Sequence, residues 1–215
     1  MFYFDFQSSF KMEEKDIYNE LSSIRNLMER STKFISLSGI SGILAGLYAL
    51  IGAFMAYKLV YPSPQYLGDS FTVSNTTLVQ LLLIAFGVLI FPICTGIWLT
   101  MRQANKKGEN TWNPVSRRLI YNMSIPLLTG GLFILILLYK EQFGILAPAS
   151  LIFYGLALIS ASHYTFSDIK WLGICEIVLG LLAVAFQAYG ILFWAVGFGV
   201  LHILYGSMMH FKYKQ

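Results

Sequence analysis

Glu176 and His202 are the side chains of this sequence whose type and setting point first to chemistry. From Trp171 to Phe211 an apolar stretch of forty-one residues holds Glu176 as its sole carboxylate, with His202 the other ionisable group deep inside it. An ionisable group in a membrane helix is costly, so it faces other helices and has a partner or a task. Read as an outgoing and a returning helix, the stretch puts Glu176 about 9 Å beyond Lys170 and His202 about 15 Å from Lys212, at 1.5 Å per residue. The depths differ by about one turn, so a Glu–His contact is geometrically available. Three roles fit the pair: a lock holding the hairpin (or a protonated Glu176 bonded to a Tyr or Ser of another helix), a proton- or ligand-linked site, or part of a metal site.

The metal reading draws on His163, Asp168, Glu176, His202 and His210, all placed toward one end of the helices. Imidazole and carboxylate suit zinc, and three such ligands with a water make a hydrolytic centre. These residues follow no compact ligand motif, and the sequence by itself calls for no cofactor. It carries no phosphate-cradling glycine loop, no serine-nucleophile elbow and no Cys-x-x-Cys. Polar residues and prolines also interrupt two other apolar runs: Gln80, Pro92 and Thr95, then Asn122, Pro126 and Thr129. A helix proline frees a carbonyl that either bends the helix or lines a polar cavity.

The elements that must position these groups follow from composition. Of 215 residues, 56% are hydrophobic and 12% charged, against roughly 25% charged in a soluble domain, and the mean hydropathy is +0.63. Crossing a hydrocarbon core of about 30 Å takes about 20 helical residues. Six spans are expected, at about 34–59, 78–101, 118–139, 145–163, 170–188 and 191–211. The last two require a tight hairpin at Ala188-Tyr189-Gly190, because an unbroken helix of that length would measure about 60 Å. Short loops predict antiparallel neighbours packed in sequence order.

Basic residues assign the orientation. Thirteen of the fifteen Lys and Arg fall on one side of these spans, and only Lys58 and Lys140 on the other. The positive-inside rule then puts both termini in the cytoplasm of a multi-pass inner-membrane protein. The net charge of +4 is topological and implies no nucleic-acid partner; the expected environment is the lipid bilayer. Cys94 and Cys175 lie in apolar runs and read as small hydrophobes rather than a disulfide. The longest outer loop, 61–77, contains Asn75-Thr76-Thr77, a glycosylation sequon that weighs little in a chain of unassigned source.

Ahead of the spans, residues 1–33 form a cytoplasmic segment. Its first eleven residues lack the layout of a signal peptide, and Met12 is an alternative start to Met1. Over 12–32, Ile17, Leu21, Ile24 and Met28 recur with the spacing of an amphipathic helix, suited to docking on the bundle, on a second copy or on a cytoplasmic protein partner.

Span one and span five share a pattern. Gly39-Ile40, Ile43, Gly46-Leu47 and Ala49 match Gly173-Ile174, Ile177, Gly180-Leu181 and Ala183 at identical spacing, and Phe86-Gly87-Val88-Leu89 matches Phe198-Gly199-Val200-Leu201. Three hairpins with an internal repeat are the expected build. Ser38, Gly42 and Gly46, and likewise Gly199 and Gly206, form small-residue faces for close helix approach, within the bundle or in a homo-oligomer.

The segments Gly39-Ile40-Ser41-Gly42-Ile43-Leu44-Ala45-Gly46-Leu47 and Gly197-Phe198-Gly199-Val200-Leu201-His202 give the membrane part an architectural resemblance to HdeD-type small bacterial membrane proteins and other six-span proteins of bacteria. The resemblance implies duplicated hairpins, a bacterial inner membrane and an association with acid stress, and it carries no functional residues over to this chain. Three functions therefore stand: a non-enzymatic envelope or stress protein acting through partners, a small-solute or proton-coupled carrier using Glu176 and His202, and a metal-dependent intramembrane hydrolase.

Overall fold

The computed structural model describes residues 39–60, 74–108 and 111–212, in which helices and turns account for the chain and no strand occurs. Ser38, the 12–32 helix and most of the outer loop lie outside the described residues. The helices are α1 (Gly39–Val60), α2 (Asn75–Lys107), α3 (Pro114–Tyr139), α4 (Leu146–Ser162) and α5 (Ile169–Ala185), then a rod of α6 (Gly190–Trp194), a π-helical turn (Ala195–Leu201) and α7 (His202–Lys212). Short 3-10 turns at Phe143–Ile145 and Gln187–Tyr189 lead into α4 and α6.

Five helical segments are long and apolar enough to cross a membrane: Gly39–Leu59, Asn75–Lys106, Pro114–Tyr139, Phe143–Ser162 and Gln187–Lys212. α5, with 17 residues, is shorter than these. The chain thus carries the helices of a multi-pass membrane protein.

Helix ends are set by local chemistry. The Ser74 hydroxyl accepts from the Thr77 N–H at 3.1 Å and opens α2. Gly108 closes it in the left-handed conformation (φ 66°), its N–H returning to the Ala104 and Asn105 carbonyls, as helix C-termini prefer. Asn113 and Ser116 form a reciprocal capping box with Pro114 at the first turn of α3, which satisfies donors that would otherwise be orphaned. With 33 residues, α2 is about 50 Å long and outreaches the hydrocarbon core. Trp98, with the Arg102 guanidinium 5.5 Å above its ring, marks where such a helix meets the headgroups.

Glycines decide which helices pack closely. A Cβ built on Gly155 would stand 2.6 Å from the Gly173 carbonyl oxygen, and one on Gly173 2.7 Å from that of Gly155. α4 and α5 therefore touch backbone to backbone. α1 meets the last rod in the same way: Gly39 and Gly42 abut Gly206, and Gly46 abuts the Gly199 carbonyl and Ile203. The small faces of α1 and of the rod are thus turned onto each other within one chain. In a bilayer such close approach is the main source of helix association, because lipid tails are as apolar as leucine.

The order of packing departs from the sequence order. α1 lies against both α2 and the rod, α5 against α4 and the rod, and α3 against α4, whereas α2 and α3 do not pack on each other despite their short connection. The reason lies in their faces. α2 touches α1 through Val88 over Gly52 and Phe91 beside Tyr48, and no residue of its apolar window is buried. α3 engages α4 through Gly130 under Phe153. Gly96 and Gly131 have open space where a Cβ would go, so these glycines draw no helix in.

At the α4–α5 turn, Phe166, Ile169 and Leu172 bury themselves with Leu158 and Met209, and Tyr154, Leu201 and Tyr205 pack against that cluster. Outside it, Lys212 Nζ donates to Asp168 Oδ2 at 2.7 Å, with the lysine side chain half-exposed. Ion pairs so placed contribute about 0–1 kcal/mol. Asp168→Asn is accordingly expected to shift thermal unfolding in detergent little, and a large loss would show that the pair holds the turn.

Candidate functional site: a buried Glu176, His202 and Tyr154 cluster

Glu176 occupies the buried stripe of α5, between Leu172 and Gly173 on one side and Gly180 on the other. It is 0% exposed, and neither carboxyl oxygen has a hydrogen-bond partner among the described residues. Facing it is the rod. His202 Nδ1 stands 3.4 Å from Glu176 Oε1, yet the same nitrogen lies 3.0 Å from the Gly197 carbonyl. The shorter contact takes the Nδ1 hydrogen, so Glu176 and His202 are neighbours without a hydrogen bond between them. On the far edge of the ring, His202 Nε2 meets the Tyr154 hydroxyl of α4 at 2.8 Å.

Two features of the rod make room for this arrangement. A Cβ on Gly197 would overlap Glu176 Oε2 and Leu151 Cδ2, so the carboxyl sits where a side chain at 197 would be. The π-helical turn Ala195–Leu201 surrounds that glycine; such turns are rare and concentrate at functional sites. His202 begins α7 just after the turn, its backbone N–H going to the Gly199 carbonyl, while its side chain reaches back to Gly197. Behind it, Gly42 of α1 rests against Gly206 and the His202 carbonyl.

Aromatic rings enclose the other side. Trp194 and Phe198 have centroids 5.0 Å apart, and Phe198 lies nearly parallel to the His202 ring at 5.9 Å and 17°. Tyr154 contacts both, 4.9 Å from Phe198 and 5.4 Å from His202. The imidazole therefore has one bonded partner at each nitrogen and an aromatic wall across its face.

The remaining residues singled out from sequence lie elsewhere. Asp168 is paired with Lys212, His163 is exposed at the end of α4, and His210 stacks edge-on against Phe211 at the end of α7. Among the described residues no three His, Cys, Asp or Glu side chains gather as a metal-ligand group. The polar residues of α2 and α3 do not turn toward Glu176 either. Thr95 Oγ1 donates to the Phe91 carbonyl, Asn122 Nδ2 to that of Arg118 and Thr129 Oγ1 to that of Ile125, while Gln80 is exposed. A polar side chain that satisfies itself on its own helix can sit in an apolar setting without lining a cavity. Cys94 and Cys175 are both free and exposed.

Tyr154 and Gly197 belong to the cluster and were not marked out as site residues by the sequence. The sequence offers only a faint signal there: the Tyr-Gly pair at 154-155 recurs at 205-206.

Fold and cluster together define a polytopic helical membrane protein with a carboxyl–imidazole–phenol cluster buried between three helical elements. The chain matches no protein-family model, no curated protein and no solved structure.

Proposed function

We propose that this chain is a proton-linked carrier of the inner membrane, in which Glu176 is the group that takes up and gives up the proton and His202 is its partner. The observation that carries this reading is the Glu176 carboxyl itself, wholly buried and with neither oxygen hydrogen-bonded. A structural carboxylate in such a place would have donors arranged around it, because an uncompensated buried charge costs several kcal/mol or more. A carboxyl without donors, 3.4 Å from an imidazole nitrogen, is instead suited to changing its protonation state. Intramembrane carboxylates and histidines are the usual parts of proton relays.

In this reading α5 is a sixth crossing. Its 17 residues rise about 25 Å, near the lower limit for a span, and Trp171 is exposed at its start, as interfacial anchors are. Six crossings with thirteen of fifteen basic residues on one side put both termini in the cytoplasm. The outer hairpins then run in parallel as copies of one ancestral unit, an arrangement known among transporters.

The test is proton movement itself. Purified full-length chain in liposomes, with a pH-sensitive dye inside and an imposed pH gradient, is expected to pass protons faster than empty liposomes. Glu176→Gln, which keeps shape and removes the exchangeable carboxyl, is expected to return the rate to that of empty liposomes. Equal rates for wild type and Glu176→Gln overturn the mechanism.

A further inference from the structure

We infer that the cleft at the start of α3 is a binding site for the phosphate headgroup of an anionic phospholipid. The cleft measures about 580 Å³, and Trp112, Arg117, Arg118, Ile120 and Tyr121 are among the residues that line it; its size suits a small ligand group. Successive helix residues point about 100° apart, so the two arginines reach the cleft from different directions. The planar fork of a guanidinium matches phosphate oxygens two at a time. Among the described residues neither guanidinium is in an ion pair and no carboxylate lines the cleft. The first N–H groups of α3 are not what would hold the anion. The Asn113 side chain and carbonyl already take those of Ser116 and Arg117. The cleft shares no residue with the Glu176 cluster, and its role needs no proton movement.

Lipid is the occupant because the cleft continues into an apolar face. Arg117, Tyr121, Ser124, Leu128 and Leu132 follow one another at 4-3-4-4 spacing, which places them on one stripe of α3. Tyr121, Leu128 and Leu132 are exposed, and the Ser124 hydroxyl donates to the Tyr121 carbonyl of its own helix. Beyond the arginines the stripe is therefore apolar, and a phosphate held there lays its acyl chains along Leu128 and Leu132. Trp112 and Tyr121 are both exposed, as aromatic residues at headgroup level are. The packing leaves room for the lipid. α2 and α3 stand at the two ends of the row of packed helices and do not pack on each other across the 108–113 connection. The charge also matches: from Arg102 to Arg118 the sequence holds five basic residues and one carboxylate, Glu109. Basic pockets beside transmembrane helices recognise anionic headgroups in this way.

The experiment is native mass spectrometry of the full-length chain released from nanodiscs that contain phosphatidylglycerol and phosphatidylcholine in equal amounts. The wild type is expected to retain phosphatidylglycerol in preference to phosphatidylcholine; equal retention of the two overturns the site. Arg117→Gln combined with Arg118→Gln is expected to weaken that preference about tenfold or more, and an unchanged preference overturns it too. Both arginines are exposed, and exposed substitutions disturb stability little, so the variant reads binding rather than folding. Arg102→Gln combined with Lys106→Gln removes the same charge from the end of α2, outside the cleft, and is expected to keep the preference. An equal loss there would mean that a basic helix end attracts anionic lipid without a built site. An excess of inorganic phosphate is expected to leave the bound lipid in place. Displacement by phosphate alone would make the soluble anion the ligand and overturn the assignment to lipid.

Discussion

Gly173→Val is expected to destabilise the α4–α5 pair by at least the 1–3 kcal/mol typical of overpacking. A Cβ there would lie 2.7 Å from the Gly155 carbonyl oxygen and 2.9 Å from Ile159 Cγ1. The isoleucine can yield by changing rotamer; the carbonyl belongs to the α4 backbone and cannot move without moving the helix. The reciprocal change, Gly155→Val, meets the Gly173 carbonyl at 2.6 Å and should cost a similar amount. The pair provides its own check. Once the first bulky residue has pushed the helices apart, the second enters space already opened, so the double variant should lose clearly less than the sum of the singles. Equilibrium unfolding in mixed micelles measures all three. Additive losses would mean that the two glycines act independently and that the backbone contact is not shared. Gly131, whose Cβ would meet nothing within 4 Å, serves as the control and should accept valine with little change.

That contrast also shows what a sequence discloses and what it withholds. Gly155, Gly173 and Gly131 are identical residues in apolar helices, and nothing local to each says whether another backbone lies opposite. The helices themselves were legible, because length and continuous hydropathy are local properties, and the break between α5 and the rod followed from the length of a bilayer. Their boundaries were less so. α2 runs on to Lys107, past the apolar run, because Gly108 rather than the membrane surface stops it. Which helix faces which was not legible. The contact of α1 with the rod joins the two ends of the described bundle, and pairing by sequence order does not anticipate it.

The site divides in the same way. Glu176 and His202 stand out in sequence as ionisable groups in an apolar stretch, a signal that depends on composition alone. Tyr154 is one of 13 tyrosines and lies 48 positions from His202, so only the packing of α4 on the rod brings it into the cluster. The π-helical turn has no proline or polar residue to announce it. Its glycine acquires meaning from the carboxyl that fills the space above it.

Glu176→Met is expected to make the protein more stable while abolishing whatever proton movement the wild type supports. A buried polar group without a hydrogen bond carries its desolvation cost uncompensated, about 1–3 kcal/mol for a neutral group. Both oxygens of Glu176 are in that position. Methionine is unbranched, close to glutamate in length and adaptable in rotamer, so it can occupy the same channel past Gly197 and Leu151 without opening a void. The His202 ring loses nothing, because its nitrogens are bonded to Gly197 and Tyr154. A gain of about 1–3 kcal/mol in unfolding free energy is the expected result, read from thermal or denaturant unfolding in one detergent for both proteins. Glu176→Gln should show no such gain, since the amide brings polar atoms to the same unpartnered position. A loss of stability in Glu176→Met would mean that the carboxyl is held by interactions that stabilise the fold, and would return Glu176 and His202 to the role of a structural lock. A gain would identify a residue retained at the expense of stability, as functional groups in protein interiors commonly are.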